Sequence, residues 1–333
     1  MRRFWLGLHQ DVTRPLGGVK QMHRLGEVIE ELGYQATLIQ EDANFHPGWF
    51  SSKLPTISYD KWLNRGGFTS IEDVLILPET FINSPLLLRD DLCKVIFNQN
   101  VSYSFGTPSF PDNVFPSPDN IVSLYHSDLI SKILCVSRSD QLFLRSAFGL
   151  AESRVGLIIN AVESNLFFPH KRKKLQVAFM PRKNSHDCKA VISLLKRHSW
   201  FKGWSVCPIT NCTQDQVSKL MKDSLIFLSF GHPEGFGLPV AEALSCGCYV
   251  IGYSGLGGRE LFRHSSSFNA SNEIMVGDWL GFLSAIKSFI DQFNADPNSV
   301  FKNLLLCSKS VRKTYSFDAM KRSVDAAFAG IVR

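Results

Sequence analysis

Several familiar chemistries are missing from this chain of 333 residues. There is no Asp-x-Asp, no H-E-x-x-H, no G-x-x-x-x-G-K-[ST] loop and no C-x-x-C. These absences remove the usual sequence basis for a metal-bound diphosphate, a zinc hydrolase, a Walker-type nucleotide site and a paired-thiol centre. Long apolar runs are missing too. After Met1, Arg2 and Arg3, the run from Phe4 to Leu8 is too short for a signal-peptide core. Nothing approaches the roughly 18 to 20 apolar residues of a membrane-crossing helix. Excess charge is small: 36 Lys and Arg against 30 Asp and Glu leave +6, spread along the chain. Electrostatics therefore do not call for a nucleic-acid partner. The eight cysteines (Cys93, Cys135, Cys188, Cys207, Cys212, Cys246, Cys248 and Cys307) lie mostly inside apolar runs. They read as buried thiols in a reducing compartment, and the expectation is a soluble, cytoplasmic protein.

Apolar residues make up 44% of the chain, which excludes a disordered tail and supplies a real core. Phe4 to Leu8 reads as a strand, Pro15-Leu16-Gly17-Gly18 as a turn, and Val19, Met22, Leu25, Ile29 and Leu32 recur at helical spacing before Gly33. Buried parallel strands are predicted at Val74 to Leu77, Val95 to Phe97, Ile133 to Val136 and Val155 to Ile159, and Gly106 to Ser117 as a long surface loop. Ser137 is placed to cap, and Gly149 to end, the helix between the last two strands. The alternation then restarts, with strands at 175–180, 205–209, 225–229 and 249–253 and helices between them. This organisation predicts a first α/β domain over 1–163, a linker over 164–174 and a second over 175–316, each with a doubly wound parallel sheet. The basic run Lys171-Arg172-Lys173-Lys174 reads as solvated linker, with attraction to anionic lipid as its functional alternative.

The most informative stretch follows the strand at 225–229: His232-Pro233-Glu234-Gly235-Phe236-Gly237-Leu238-Pro239-Val240-Ala241-Glu242. It is a glycine loop feeding a helix. Glycines let backbone N–H groups approach a ligand, and a helix N-terminus favours phosphate. Glu234 in the loop and Glu242 in the helix offer acceptors to hydroxyl groups, a pairing that suits a sugar and a ribose. Without a ligand, Glu234 is a loop carboxylate and Glu242 a first-turn charge favourable to the helix dipole. With seven residues between them, the two glutamates resemble the E-x7-E signature of retaining glycosyltransferases of family 4.

Other segments resemble that family in the same order along nearly the whole chain. Gly17-Gly18 resembles its N-terminal loop under the donor phosphates, and Asn160-Ala161-Val162-Glu163 its Asn-Gly-Val-Asp exit from the first domain, with Ala161 in place of Gly. Arg182 resembles the arginine that holds the pyrophosphate. The family's lysine five residues on falls at Asp187, leaving Lys183 or Lys189 to replace it. Gly255-Leu256-Gly257-Gly258-Arg259-Glu260 resembles the small glycine loop beside the diphosphate; as a dinucleotide fingerprint it fails at Glu260. Where the family offers a His to the sugar, this chain has Asn98-Gln99-Asn100. Asn98 or Asn100 is then a candidate for sugar or acceptor, with loop capping as the plain alternative. His232 and His126 are the nearby imidazole candidates.

The resemblance implies a GT-B fold, two Rossmann-like domains facing across a cleft, with a last helix over 317–331 packing back on the acceptor-side first domain. It implies retaining, metal-independent transfer of a hexosyl or deoxyhexosyl unit from a nucleotide-diphosphate sugar to a glycan or lipid-linked acceptor, without a cofactor. The leaving diphosphate itself accepts the acceptor's proton. Glu234, Arg182 and Lys189 are the expected catalytic residues; Gly17, Gly18, Lys183, His232, Gly235, Phe236, Gly237, Leu238, Glu242, Gly257 and Gly258 the donor-binding ones. The rival readings are a non-catalytic nucleotide-sugar-binding scaffold, a Rossmann dehydrogenase, for which Pro15 to Val19 lacks the G-x-G-x-x-G, and a phosphorylase with lysine-bound pyridoxal phosphate.

Overall fold

The computed structural model describes residues 2–8, 11, 13–81, 89, 91–105, 117–265, 272–329 and 331. The loop read at Gly106 to Ser117 lies outside them except for Ser117. The chain divides into two compact units, Met1–Ala161 with Phe317–Arg333, and Val162–Ser316.

The first unit runs β1 (Arg3–Gly7), α1 (Gly17–Glu31), β2 (Gln35–Gln40), β3 (Thr56–Ser58), α2 (Tyr59–Leu63), β4 (Asp73–Pro78), β5 (Cys93–Asn98), α3 (Pro118–His126), β6 (Ile130–Cys135), α4 (Arg138–Ser146) and β7 (Val155–Leu157). Its sheet has the order β3-β2-β1-β4-β5-β6-β7, every pair parallel. The central strands are apolar on both faces because helices cover both; every residue of β4 is buried. Ser117 caps α3 through the Asn120 N–H, Ser137 caps α4 through the Asp140 N–H, and Gly149 takes a positive φ of 69° beyond α4.

The second unit runs β8 (Lys174–Phe179), α5 (Ser185–Leu195), β9 (Ser205–Pro208), α6 (Gln214–Asp223), β10 (Ser224–Ser229), α7 (Leu238–Ser245), β11 (Tyr249–Gly252), α8 (Arg259–Phe262), α9 (Trp279–Ala295) and α10 (Pro297–Thr314). Its parallel sheet has the order β11-β10-β8-β9. The stretch 164–174 is packed into this unit: Phe167 is fully buried, and the Leu166 carbonyl accepts from Ser218 Oγ at 2.7 Å. The last helix, α11 (Phe317–Phe328), belongs to the first unit. Its Phe328 ring stacks on Phe4 at 5.0 Å, and Ser323 Oγ accepts from the Ile159 N–H at 3.0 Å.

One buried acid in the first unit sets a pH dependence. Glu79, just past β4, accepts from the Gln99 N–H at 2.8 Å, and burial pushes its carboxyl up to about 8 from 4.5. Between those values the folded chain keeps a proton that the unfolded chain has lost, so stability falls as pH rises through that window. Glu79→Gln keeps an acceptor and removes the titration. Urea unfolding at pH 5 and pH 8 is expected to show a smaller loss for the variant than for the wild type; parallel losses would rule Glu79 out as the source.

Candidate functional site

Where connections leave a parallel sheet in opposite directions, the carboxyl ends of two neighbouring strands open a crevice. In the second unit that point lies between β8 and β10. The segments leaving both strands line a small open cavity of about 60 Å³, with Arg182, Lys183, Glu234, Gly237, Tyr253 and Ser254 in its wall.

Three consecutive residues after β8 do different things. Arg182 is exposed and makes no side-chain hydrogen bond or ion pair with the described residues. The Lys183 ammonium lies 2.8 Å from Glu234 Oε1 and donates to the Pro233 carbonyl at 2.9 Å, both charged side chains being about a quarter exposed. Asn184 takes a left-handed backbone, φ 47°, and its Nδ2 donates to the carbonyls of Phe230 at 2.7 Å and His232 at 3.1 Å.

Glu234 is held from its other side by backbone. Its N–H donates to the Gly255 carbonyl at 2.8 Å, and its own carbonyl accepts from the Gly257 N–H at 2.9 Å. A Cβ on Gly257 would overlap the Gly235 carbonyl, so this approach requires glycine. The segment from Gly255 to Gly258, an imperfect fingerprint when read alone, is thus the strap that fixes the loop of Glu234.

Gly237, with φ 85°, is the N-cap of α7. The helix starts at Leu238, so Glu242 is its fifth residue, and no acidic residue lies in the first turn. A first-turn dipole role for Glu242 is therefore corrected; the carboxylate is buried at 6% exposure inside the second unit. The Phe236 ring is buried against Tyr315 at 5.1 Å. Leu238 is half-buried at the helix start. His232 supplies a carbonyl to Asn184, and its imidazole is not part of the cavity wall.

Of the two lysine candidates, the structure brings Lys183 to the cavity and leaves Lys189 exposed on α5, outside the wall. The carboxylate of Asp187 accepts from Tyr253 OH at 2.8 Å and Trp279 Nε1 at 3.1 Å, buttressing the cavity wall from behind. Sequence reading missed Asn184, Tyr253 and Trp279. An Asn just before a helix was the available signal for the first.

The remaining candidates lie in the first unit. Gly17 and Gly18 open α1, whose N-cap Leu16 makes no side-chain cap. Gln99, overlooked between its neighbours, donates from Nε2 to the Gly18 carbonyl at 3.2 Å. Asn98 is fully buried, its Oδ1 accepting from Tyr125 OH at 2.8 Å and Ser104 Oγ at 3.1 Å. Asn100 accepts from the Ser102 N–H at 3.1 Å and caps a short turn. The oxygens of both amides thus bond within the fold, while the buried Nδ2 of Asn98 has no partner among the described residues. His126 Nε2 is bonded to the Phe148 carbonyl at 2.6 Å. Among the described residues no three His, Cys, Asp or Glu side chains are grouped to hold a metal ion, and no helix is long and apolar enough to cross a membrane.

Residues 203–275, which include Glu234, Glu242 and the strap, match the family Glycosyl transferases group 1. An alpha-1,6-glucosyltransferase of Actinobacillus pleuropneumoniae serotype 7 is 31% identical over 144 residues, a match spanning 40% of this chain and 41% of that protein. Sucrose-phosphate synthase from Thermosynechococcus elongatus superposes with a TM-score of 0.71 at 11% identity, covering 98% of each chain. Anabaena HepE in complex with UDP superposes with a TM-score of 0.70 at 12% identity, over 99% of this chain and 100% of that one. The chain has the GT-B fold of two Rossmann-like domains, and residues 203–275 of its second unit are similar to group 1 glycosyl transferases.

Proposed function

We propose that this chain is a retaining glycosyltransferase that moves a hexosyl or deoxyhexosyl unit from a nucleotide-diphosphate sugar to a glycan or lipid-linked acceptor, without a metal ion. The observation that carries the reading is the cavity at the β8/β10 switch, where the exposed Arg182 stands beside the Lys183–Glu234 pair. A transferase of this type needs fixed positive charge for the leaving diphosphate and a fixed carboxylate for the sugar. The UDP in the HepE structure and the glucosyl relative's name support the same ligand class. Alpha linkage is what retention yields from an α-configured donor.

In this mechanism Arg182 and Lys183 face the diphosphate, Glu234 accepts from hydroxyls of the transferred sugar, and Glu242 accepts from those of the ribose. The bond from the anomeric carbon to the diphosphate oxygen breaks while the acceptor oxygen bonds to the same face. The acceptor's proton passes to the departing diphosphate, so no protein nucleophile is needed.

Screening nucleotide sugars by thermal shift and then by transfer assay tests the reading, since a ligand at 100 times its dissociation constant stabilises by about 2.7 kcal/mol. Failure to bind any member of a broad panel would overturn it. With the donor known, Arg182→Ala is expected to lower turnover by about 10²-fold, roughly 2.7 kcal/mol of transition-state stabilisation. Wild-type kinetics in the folded variant would remove Arg182 from the reaction. Transfer is expected to persist in EDTA; loss restored by manganese or magnesium would contradict the metal-independent route. Glu234→Ala should lower turnover more than affinity for the free nucleoside diphosphate, and Glu242→Gln the reverse. Equal calorimetric and kinetic losses in both variants would refute this division.

A further inference from the structure

The segment after β10 is gripped by two neighbouring side chains of unlike character. Lys183 holds it through an ammonium on Pro233 and Glu234, and Asn184 through a neutral amide on Phe230 and His232. An ammonium is drawn towards any anion that enters the cavity, whereas an amide N–H₂ bonded to two carbonyls has little reason to leave them. The backbone of Asn184 adds a second observation. It is the N-cap of α5, a position where an Asn side chain ordinarily accepts from its own helix and stabilises it. Here it makes no such cap and donates instead across the cavity wall. Its left-handed φ of 47°, tolerated by Asn and Gly, is what turns the side chain that way. The helix forgoes a local stabilisation so that the opposite loop gains two bonds.

We propose that Asn184 is a positioning residue: its amide fixes the backbone of residues 230–234, so that Glu234 stays aimed into the cavity when an entering diphosphate engages Lys183. The diphosphate in this statement rests on the function proposed above; the clamp itself does not. Asn184 touches no reacting atom in this account and acts through Glu234.

Amide hydrogen exchange at Glu234 and Gly257, whose N–H groups are bonded within the strap, tests the clamp with inorganic pyrophosphate as the probe. Asn184→Gly keeps the positive φ without strain and removes only the amide. Without probe, exchange at both amides is expected to rise about 10-fold, the loss of two ordinary hydrogen bonds, while core amides of β8 and β10 are unchanged. Asn184→Asp, which keeps size and φ tolerance but points a carboxylate at two carbonyls, is expected to exceed the glycine variant. Unaltered exchange in both variants would overturn the proposal. Adding millimolar pyrophosphate should accelerate exchange further in the glycine variant and not in the wild type; an equal response in both would refute the division of labour with Lys183. If calorimetry shows that pyrophosphate does not bind the wild type, the diphosphate reading fails, and the exchange rates without probe still decide whether Asn184 holds the loop.

Discussion

Strands β8 and β10 are neighbours in the sheet although β9 separates them in the chain, and the rest of the site depends on that adjacency. Their parallel register sets Ala178 opposite Phe227 and Phe179 opposite Leu228, so the two strands end within one residue of each other. The two connections then leave on opposite sides and cannot fill the space between them. On the other flank of β10, Ser229 is level with Gly252, which delivers the segment from Ser254 to Gly258 to the far side of Glu234. One carboxylate is thereby fixed by an ion pair from one neighbour and by backbone bonds from the other.

Fixing a charge this way has a physical limit. The Lys183–Glu234 pair is only partly withdrawn from water, and such pairs contribute little net stability. Rigidity at this point comes from the uncharged contacts instead: the Asn184 amide, the two backbone bonds of Glu234 and the close passage of Gly257 over Gly235. The charged groups are left to respond to whatever binds.

The parts legible in the sequence were those encoded over short distances. The spacing of Glu234 and Glu242 around their glycines, the cap of α4, and the apolar central strands all depend on residues a few positions apart. What escaped depends on distant partners. Asn98 reads as a strand-end amide for a ligand or a loop cap, and the partners of its oxygen, Tyr125 and Ser104, lie 27 and 6 positions away. Lys183 and Lys189 are indistinguishable in sequence because the choice rests on the left-handed turn at Asn184 that starts α5. The periodicity of α1 names one apolar face, yet Lys20, Gln21, His23 and Arg24 are buried too. Segment 41–54 lies on that second face, with Phe50 against His23 at 4.9 Å and the Ser51 carbonyl on Arg24.

The basic run before β8 shows how far a count of charges differs from the field they produce. Lys173 turns inward, its ammonium donating to the carbonyls of Ser224 at 2.8 Å, Lys222 at 3.1 Å and Met221 at 3.3 Å, where α6 ends and its last carbonyls collect. Lys174 is bound to Asp223 at 2.9 Å. Lys171 and Arg172 make no ion pair with the described residues. At about 1 kcal/mol per basic residue near an anionic surface, the run as folded offers about half the attraction its composition suggests. Its more definite work is to fasten the entry of β8 to the end of α6, beneath the strand whose far end carries Arg182.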